Sequence, residues 1–518
     1  MMNQSCAIGL DIGTTSTKAV VYTLAGEVKG IGNVDYPMHV PRPGWAEQEP
    51  DVIYKAVLEA LRGAVARAGI GPAEVAAVGL SSAMHSVIAV DADGKPLSNS
   101  IIWADNRSAL QTERLKSEGT GREIYLCTGT PIHPMSPLPK LIWMKEEDPA
   151  TFFYAAKFIS IKEYVLHKLF GVYVVDHSIA SATGLFDIRK LDWDDQALRV
   201  AGIVRGQLSE PVPVTHMLRG LQADVAAMLG LAANTPFVVG ASDGVLANLG
   251  VGAVESGQIA VTIGTSGAVR AVVDQPLTDP RGRTFCYVLA ENRWVIGGPT
   301  NNGGLMLRWF RDQFGAVEAE QAKQLGRDPY DLLIEKAAGV EAGAEGLLFL
   351  PYLAGERAPH WNADARGSFF GIGLHHQREH FIRAVLEGVL FGVYHVARVL
   401  SELAGEAGEI RASGGFARSP EWRQMMTDMF GIPVVVPQTH ESSSFGAALI
   451  AFYAAGQISS LDESKKIIAL SDRQEPEQLN RARYQELFPV YERIYENTIR
   501  EMAFLAEFQR KTNRTSIL

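Results

Sequence analysis

Cysteine is scarce in this chain of 518 residues, which holds only Cys6, Cys127 and Cys286. An odd number of widely spaced thiols argues against a disulfide framework or a zinc cluster, and it favours a reducing compartment. Basic residues are not in excess either, since 48 Lys and Arg are set against 58 Asp and Glu, for a net charge of −10. Neither nucleic acid nor an anionic membrane is therefore an expected partner.

Long apolar runs and the common nucleotide motifs are also missing. No 18 apolar residues follow one another without interruption, and the first residues lack a basic segment followed by an apolar core. We therefore expect no membrane span, no secretory signal and a cytoplasmic location. No Gly-Lys-Ser/Thr of a Walker-type loop occurs, and Gly250-Val251-Gly252 lacks the third glycine of a dinucleotide-binding turn. A bound phosphate would have to be held by other turns, helix ends and metal.

What the sequence does contain is an internal repeat. Residues 11–15 read Asp-Ile-Gly-Thr-Thr, residues 262–266 read Thr-Ile-Gly-Thr-Ser, and apolar strand-like runs flank both. Because the chain is too long for one hydrophobic core, two hairpins of one design indicate two domains of related fold. We place them at residues 1–252 and 253–518. The alternative is two unrelated hairpins, since Thr and Gly are common in turns.

The first hairpin has the chemistry of a phosphate-binding turn. Its glycine and hydroxyl residues present several N–H and O–H donors to one small region. Asp11, at the end of the preceding strand, is suited to hold Mg²⁺ through water, and Lys18 offers a positive charge, although its strand position also fits plain solvation. The second hairpin repeats the donors at Gly264 and Thr265 but has Thr262 instead of a carboxylate. A solvated threonine-rich hairpin is the competing interpretation.

Two further turns follow predicted strands. Residues 413–420 read Ser-Gly-Gly-Phe-Ala-Arg-Ser-Pro and lead into a helix, and paired glycines at a helix start let a nucleotide approach backbone N–H groups. Residues 237–242 predict a buried strand that places Asp243 at the carboxyl edge of a sheet, where open α/β sheets bind ligands. A carboxylate there is suited to accept the proton of an attacking hydroxyl. Helix N-capping is the alternative for both turns.

Polar side chains mixed with apolar ones follow two other predicted strands. Met84 and His85 come after residues 75–80, and Trp103 and Arg107 come after the apolar pair 101–102. Such mixtures are typical of sites for small polar ligands. A single histidine at a strand end is otherwise usually hydrogen-bonded in place.

Longer segments resemble the FGGY family of carbohydrate kinases, in the actin-like ATPase superfamily. Residues 135–147, Met-Ser-Pro-Leu-Pro-Lys-Leu-Ile-Trp-Met-Lys-Glu-Glu, are similar to the family's first characteristic pattern. Residues 367–372, Gly-Ser-Phe-Phe-Gly-Ile, together with residues 380–387, resemble the second. The resemblance implies two actin-like (ribonuclease H-like) α/β domains with mixed central sheets and an interdomain cleft that holds the active site. It also implies transfer of the γ-phosphoryl group of ATP, with Mg²⁺, to a hydroxyl of a small polyhydroxy substrate.

The resemblance implies roles by position. Asp243 matches the general base, and Asp11 matches the metal-associated carboxylate. The residues that match phosphate- or nucleotide-contacting positions are Thr14, Thr15, Ser16, Thr265, Gly304, Gly415 and Ser419, to which the hairpin and turn chemistry adds Lys18, Gly264 and Gly414. The residues placed in the sugar site are Met84, His85, Arg107 and His133, of which the last three are candidate cationic partners for an aldonate carboxylate.

Within the family, residues 82–86 and 128–135 most resemble the gluconate kinases. Xylulose kinases share the Met84-His85 pair but usually precede it with Gly-Gln, where this chain has Ser82-Ala83, and glycerol kinases carry Arg-Glu at the pair. We therefore expect phosphorylation of the primary hydroxyl of D-gluconate to 6-phospho-D-gluconate, with xylulose or another pentulose or polyol as the alternative substrate. An actin-like ATPase without a sugar acceptor is the alternative of another class. The expected partners are small molecules, and a homodimer is compatible with a sequence that fixes no oligomeric state.

Overall fold

The structure of the chain is a computed structural model, and it describes residues 5–290, 292–438 and 441–515. The described residues form two compact units. The first comprises Met1–Glu255, Val272–Ile296 and Glu441–Ala469, and the second comprises Ser256–Ala271, Gly297–His440 and Leu470–Leu518. Residue 252 remains our proposed boundary between the domains in sequence, and two segments that follow it belong to the first unit.

The strands, in chain order, are β1 (Cys6–Ile12), β2 (Ser16–Thr23), β3 (Val28–Asp35), β4 (Glu47–Gln48), β5 (Val75–Ser82), β6 (Ile88–Val90), β7 (Ser100–Ile101), β8 (Lys157–Ile159), β9 (Val174–Asp176), β10 (Phe186–Asp187), β11 (Asp192–Trp193), β12 (Glu210–Val212), β13 (Met217–Leu218), β14 (Phe237–Ser242), β15 (Gln258–Ile263), β16 (Gly267–Val273), β17 (Phe285–Ala290), β18 (Arg293–Thr300), β19 (Leu348–Leu350), β20 (Ser368–Phe370), β21 (Glu409–Ser413), β22 (Val434–Pro437) and β23 (Leu470–Gln474).

The helices are α1 (Pro50–Ala68), α2 (Ala109–Ser117), α3 (Thr120–Thr128), α4 (Pro137–Glu147), α5 (Pro149–Tyr154), α6 (Ile161–Phe170), α7 (His177–Ser181), α8 (Asp195–Ala201), α9 (Ala223–Leu229), α10 (Asp243–Gly250), α11 (Leu305–Phe314), α12 (Ala316–Leu325), α13 (Pro329–Ala338), α14 (Arg378–Ala404), α15 (Pro420–Phe430), α16 (Ser442–Ala454), α17 (Ser464–Ile467) and α18 (Gln478–Thr515).

The first unit is built on a mixed six-stranded sheet with the order β13-β14-β5-β1-β2-β3. Strands β1, β2 and β3 form the predicted antiparallel meander, while β5 is parallel to both β1 and β14. Parallel strands need cover on both faces, and period-two alternation supplies apolar side chains to each. Ile8 and Leu10 face a core shared with α1 and α6, whereas Ala7 faces a core shared with α10 and α16.

Helix α16 lies unusually close to this sheet because glycines on the strands admit it. A Cβ placed on Gly9 of β1 would overlap the carbonyl oxygen of Ser444, and one on Gly79 of β5 would overlap that of Ala447. Only a residue without a side chain lets the two backbones approach so far. The close packing brings the start of α16 to the end of β1.

The second unit repeats the local pattern of the first. Five neighbouring strands take the order β16-β15-β21-β22-β23. Strand β15 is antiparallel to β16 and parallel to β21, just as β1 is antiparallel to β2 and parallel to β5. Two mixed sheets with the same hairpin-plus-parallel arrangement confirm the predicted fold class.

Helix α14 is the one described helix long and apolar enough to cross a membrane by length and composition. Within its most apolar window, 78% is buried inside the structure. That burial is the pattern of a core helix, and α14 packs against α11, α13, α15 and β19.

Candidate active site

The carboxyl ends of three neighbouring parallel strands carry the central polar residues of the first unit. The pairing sets Asp11 of β1 opposite Ser81 of β5, and Ser82 of β5 opposite Ser242 of β14. Asp243 follows Ser242 directly, so both predicted carboxylates belong to one edge of the sheet. This is the edge at which open α/β sheets bind ligands.

Asp11 is held in an environment that disfavours its charge. Burial raises the pKa of its carboxyl group from 3.8 to about 6, and the nearby charge of Asp243 adds to the rise. The hydroxyl of Ser81 donates a hydrogen bond to Asp11 Oδ1 at 2.6 Å, and this bond and the charge of Lys18 oppose the rise. Two carboxylates close enough to repel each other form a site that a cation would stabilise.

Asp243 is the first residue of α10, and Ser242 occupies the N-cap position without a side-chain capping bond. The alternative interpretation of Asp243 as a helix N-cap therefore does not describe the structure. Its Oδ1 accepts the N–H of Gly244 at 2.7 Å, and its main-chain carbonyl accepts the hydroxyl of Ser443 at 3.2 Å. Asp243 is thus fixed between β14, α10 and the first turn of α16.

The turn between β1 and β2 is rich in hydroxyls and is held by hydrogen bonds. The Gly13 N–H donates to the Ser16 carbonyl at 3.0 Å, and the indole N–H of Trp103 donates to the Thr14 hydroxyl oxygen at 2.8 Å. Thr15 at the tip is exposed, and Ser16 is half-buried. The predicted donors of the first phosphate loop are therefore presented on a preorganised turn.

Lys18 is engaged by a carboxylate that sequence reasoning missed. Its ammonium group lies 2.9 and 2.8 Å from the two carboxylate oxygens of Glu441, the residue before α16. Both side chains are about a third exposed (30% and 35%), so the pair adds at most about 1 kcal/mol to stability. The partners are 423 residues apart, and no local pattern in the sequence connects them.

Three glycine-containing turns predicted to bind nucleotide meet in the second unit. The Gly304 N–H donates to the Gly264 carbonyl at 2.7 Å, and the Leu305 N–H donates to the Thr265 carbonyl at 3.2 Å. Gly414 joins them, since it has a φ of 90° and a Cβ there would overlap the backbone of Ile263. The structure therefore brings Gly264, Thr265, Gly304 and Gly414 together.

Gly415 and Ser419 continue the third of these turns into α15. A Cβ on Gly415 would meet no atom within 4 Å, so the space beside it is open. Ser419 is the N-cap of α15: its Oγ accepts the N–H of Trp422 at 3.2 Å, and its hydroxyl donates to Glu421 at 2.9 Å. The capping role anticipated as an alternative is therefore present at Ser419.

Lys140 forms hydrogen bonds to all three predicted sugar-site segments, a role that the sequence analysis did not predict. Its fully buried ammonium group donates to the carbonyls of His85, Ile102 and Met135 at 2.8, 2.8 and 2.7 Å. Burial lowers the pKa of Lys140 to about 7, and the charge of Asp105 opposes that change. The only sequence signal was a lysine among the apolar residues of α4, within the family pattern at 135–147.

The two candidate histidines are held through Nδ1. His85, with a φ of 72°, has Nδ1 2.7 Å from the Ala182 carbonyl and is 7% exposed. Because a carbonyl can only accept, that Nδ1 carries a proton. Nδ1 of His133 instead accepts the Met135 N–H at 3.1 Å. Met84 packs against the α10–α16 side of the sheet.

Arg107 does not join these residues. It forms ion pairs with Asp105 and Glu47 at 2.8 and 2.5 Å, and its guanidinium stacks over Trp45. A cavity of about 590 Å³ beside it is lined by Arg107 and Glu47 but not by Asp11, Asp243 or the two candidate histidines. Its charge is already balanced, so its predicted contact with a substrate carboxylate gains no support from the structure.

Comparison with known proteins identifies the class of enzyme. Residues 6–250 match the N-terminal domain of the FGGY family of carbohydrate kinases, and residues 259–455 match the C-terminal domain of that family. The chain belongs to the FGGY family of carbohydrate kinases. Members of this class are kinases, so ATP is the implied phosphoryl donor.

Individual members of the family differ in their similarity to this chain. The chain is 48% identical to a gluconokinase of Bacillus licheniformis over 507 residues, which covers 98% of each chain. It is 29% identical to a xylulose kinase of Bacillus subtilis, over 95% of this chain and 97% of the relative. A solved gluconate kinase and a solved ligand-bound xylulose kinase, both from Lactobacillus acidophilus, each superpose with a TM-score of 0.91 at 36% identity. They cover 95% and 96% of this chain, respectively, and 98% of each solved chain.

Proposed function

We propose that the enzyme transfers the γ-phosphoryl group of ATP to the primary hydroxyl of D-gluconate and releases 6-phospho-D-gluconate and ADP. The assignment of phosphoryl transfer rests on Asp11 and Asp243, which lie near each other at the carboxyl edge of β1, β5 and β14. The choice of gluconate is supported by 48% identity to a gluconokinase against 29% to a xylulose kinase.

Asp243 is assigned as the general base. It accepts the proton of the hydroxyl as that oxygen forms a bond to the γ-phosphorus, and the bond from phosphorus to the β,γ-bridging oxygen breaks to release ADP. The transition state is loose, so the proton transfers late and alignment of the hydroxyl matters more than the basicity of the carboxylate. Fixation of Asp243 between β14, α10 and Ser443 supports this positioning role.

A divalent cation fits the carboxylate pair. Asp11 is half-buried, has a raised pKa and lies near a second carboxylate, and Mg²⁺ is commonly held by one or two carboxylates together with waters and substrate phosphates. Asp11 would hold the ion through water. When bound, Mg²⁺ would neutralise charge on the phosphate oxygens.

The remaining contacts are assigned by turn and segment. Nucleotide and phosphate contacts are assigned to Thr14, Thr15, Ser16 and Lys18 and to Gly264, Thr265, Gly304, Gly414, Gly415 and Ser419. The sugar contacts are assigned to Met84, His85 and His133, whose segments Lys140 holds together. Arg107 remains a weaker candidate for the same site. We place the enzyme in the cytoplasm, with Mg²⁺ and a homodimeric assembly as further parts of the proposal.

Phosphorylation of xylulose is the second candidate. A solved xylulose kinase superposes as well as the solved gluconate kinase does, with the same TM-score of 0.91. The fold therefore does not separate the two substrates, and only sequence identity and residues 82–85 favour gluconate.

A coupled assay of ADP release tests both substrates. D-gluconate, D-xylulose, D-ribulose and glycerol are compared by kcat/KM, and gluconate is expected to be highest. Asp243→Asn should fold but lose at least about 10²-fold in kcat, the low end expected for a positioned base. Asp93→Asn, at an exposed turn residue, is the matched control and should keep wild-type activity.

Three results would contradict this proposal in different ways. Normal turnover by Asp243→Asn would remove the assigned base. A higher kcat/KM with xylulose would change the substrate. ATP hydrolysis that no polyol stimulates would favour an actin-like ATPase without a sugar acceptor.

A further inference from the structure

Lys162 on α6 is fully buried beside the strand that leads to Asp243. Its ammonium group donates hydrogen bonds to the carbonyls of Val239 and Ala241 at 3.0 and 2.9 Å, and to Oδ2 of Asp176 at 2.7 Å. Three acceptors match the three donors of an ammonium group. The Lys162 and Asp176 side chains are 1% and 0% exposed, a placement that charged residues adopt only when paired.

These bonds hold an irregular end of β14. The pairing register between β14 and β5 shifts between Val238 and Ala241, and Gly240 between them has a φ of 65°. A Cβ at Gly240 would overlap the backbone of the neighbouring strand, so the chain takes a bulge that re-aims the residues after it. Lys162 binds the carbonyls on both sides of this glycine and thereby fixes the chain two residues before Asp243.

Asp176 connects the same lysine to the residue that precedes Asp243. Its second oxygen, Oδ1, accepts the Ile179 N–H at 2.8 Å and caps α7. On that helix, Ser178 Oγ lies 3.2 Å from both the backbone nitrogen and the Oγ of Ser242. The end of β14 is therefore held by the lysine and by α7, which share one carboxylate.

The charge of Lys162 depends on the carboxylates around it. Burial lowers the pKa of Lys162, and the carboxylates of Asp176, Glu163 and Asp243 oppose that change because each favours the ammonium form. Asp176 therefore helps to keep Lys162 in the ammonium form, which donates to both carbonyls of β14 at once.

We propose that Lys162 and Asp176 are a positioning pair for phosphoryl transfer, which holds the bulged end of β14 so that Asp243 is placed for the incoming hydroxyl. This inference rests on the proposed function, in which Asp243 is the base. A purely structural role is the competing explanation. Buried ion pairs are weak evidence for stability, because the cost of desolvation offsets their attraction.

The test compares Lys162→Met with Lys157→Met in the full-length enzyme. Lys157 is a matched control, because its ammonium group also donates to two backbone carbonyls, those of Gly206 and Leu208, which lie outside β14. We expect Lys162→Met to fold, to keep its KM for ATP and to lose about 10- to 100-fold in kcat, as for a shift of a reacting group by roughly 1 Å. Lys157→Met should keep the wild-type kcat and KM for ATP.

Asp243→Asn, assayed in parallel, shows whether the positioning role of Lys162 or the assignment of Asp243 as the base is at fault. If it is inactive while folded Lys162→Met keeps a normal kcat, or loses no more than Lys157→Met, the positioning role is wrong and the base assignment stands. If Asp243→Asn is active, the proposed function fails and the inference fails with it.

A variant that does not fold is also informative. If Lys162→Met alone is unfolded, Lys162→Met/Asp176→Asn leaves no unpaired buried charge, keeps an acceptor to cap α7 and gives the same kinetic readout. If both variants fail to fold, the pair serves the fold and the inference is overturned.

Discussion

Replacement of Asp11 by asparagine should raise stability and lower turnover at the same time. Asparagine keeps the size of the side chain and an acceptor for the Ser81 hydroxyl, which lies 2.6 Å from Asp11 Oδ1, but removes the charge. Burial first, and the charge of Asp243 second, raise the pKa of Asp11 from 3.8 to about 6. The ionised group therefore costs the folded, ligand-free protein free energy that the variant no longer loses.

The size of the effect follows from the two pKa values. Below pH 3.8, Asp11 is protonated in the folded and unfolded chains alike, so its charge makes no difference to stability. Between pH 3.8 and about 6 the unfolded chain releases the proton first, and the wild type loses stability as pH rises. Above about pH 6 the loss is complete. At about 1.36 kcal/mol per pH unit it amounts to about 3 kcal/mol at pH 8 and ~1.6 kcal/mol at pH 5.

Urea unfolding in EDTA at these two pH values measures the difference. The free energy of unfolding of Asp11→Asn should exceed that of the wild type by the amounts above. Asp243→Asn removes the charge that repels Asp11, so it should also stabilise the protein. Because the two carboxylates repel each other, the double variant should gain less than the sum. Added Mg²⁺ should stabilise the wild type more than Asp11→Asn, whose turnover and Mg²⁺ dependence should both be reduced. Equal stability of variant and wild type at pH 8, or the same gain at both pH values, would refute the electrostatic reasoning.

Two other substitutions test the sugar and nucleotide segments separately. Lys140→Met removes the donors that join His85, Ile102 and Met135, so the KM for the sugar substrate should rise at least about tenfold while the KM for ATP stays constant. Steady-state kinetics with each substrate varied in turn would show this. An unchanged KM for the sugar would contradict it. Gly414→Ala introduces a Cβ at a φ of 90° against Ile263, which costs about 1–3 kcal/mol in strain. The KM for ATP should rise and the KM for the sugar should not. An equal rise in both KM values would indicate general misfolding.

The elements that local rules govern could be predicted from the sequence. The hairpin at residues 11–18 and its repeat at 262–267 follow from apolar runs broken by Gly and Thr, and both are β-hairpins in the structure. The turn after residues 237–242 was predicted to set Asp243 at a carboxyl edge, and β14 ends there. Each motif was predicted separately, but that Asp11 and Asp243 share one edge depends on the parallel order β14-β5-β1, which no single motif contains. The class of enzyme was predicted from resemblance, not from composition.

Segments that join the first unit late in the chain were beyond sequence reasoning. Helix α16 begins near residue 442, far beyond the predicted boundary at 252, yet it packs against β1 and β5. The only sequence feature that relates to this packing is glycine in the strands, because Gly9 and Gly79 leave room for the backbone of α16. Glycine in a strand more often indicates a bulge or a weak strand, so the pattern does not identify its partner. The ion pair of Lys18 with Glu441 was missed for the same reason.

The buried lysines show why part of a site is hidden from pattern analysis. Periodicity assigns a lysine to the solvent face of a helix, since lysine is almost never fully buried without partners. Lys140 binds only backbone carbonyls in the described structure, and Lys162 binds two of them beside Asp176. Every residue has a carbonyl, and no sequence pattern distinguishes these. Those carbonyls lie between 38 and 79 residues away for His85, Ile102, Val239 and Ala241. A lysine that positions a site can therefore be recognised only after the fold has brought its acceptors together, and this holds most strongly for Lys162, which lies outside both family patterns.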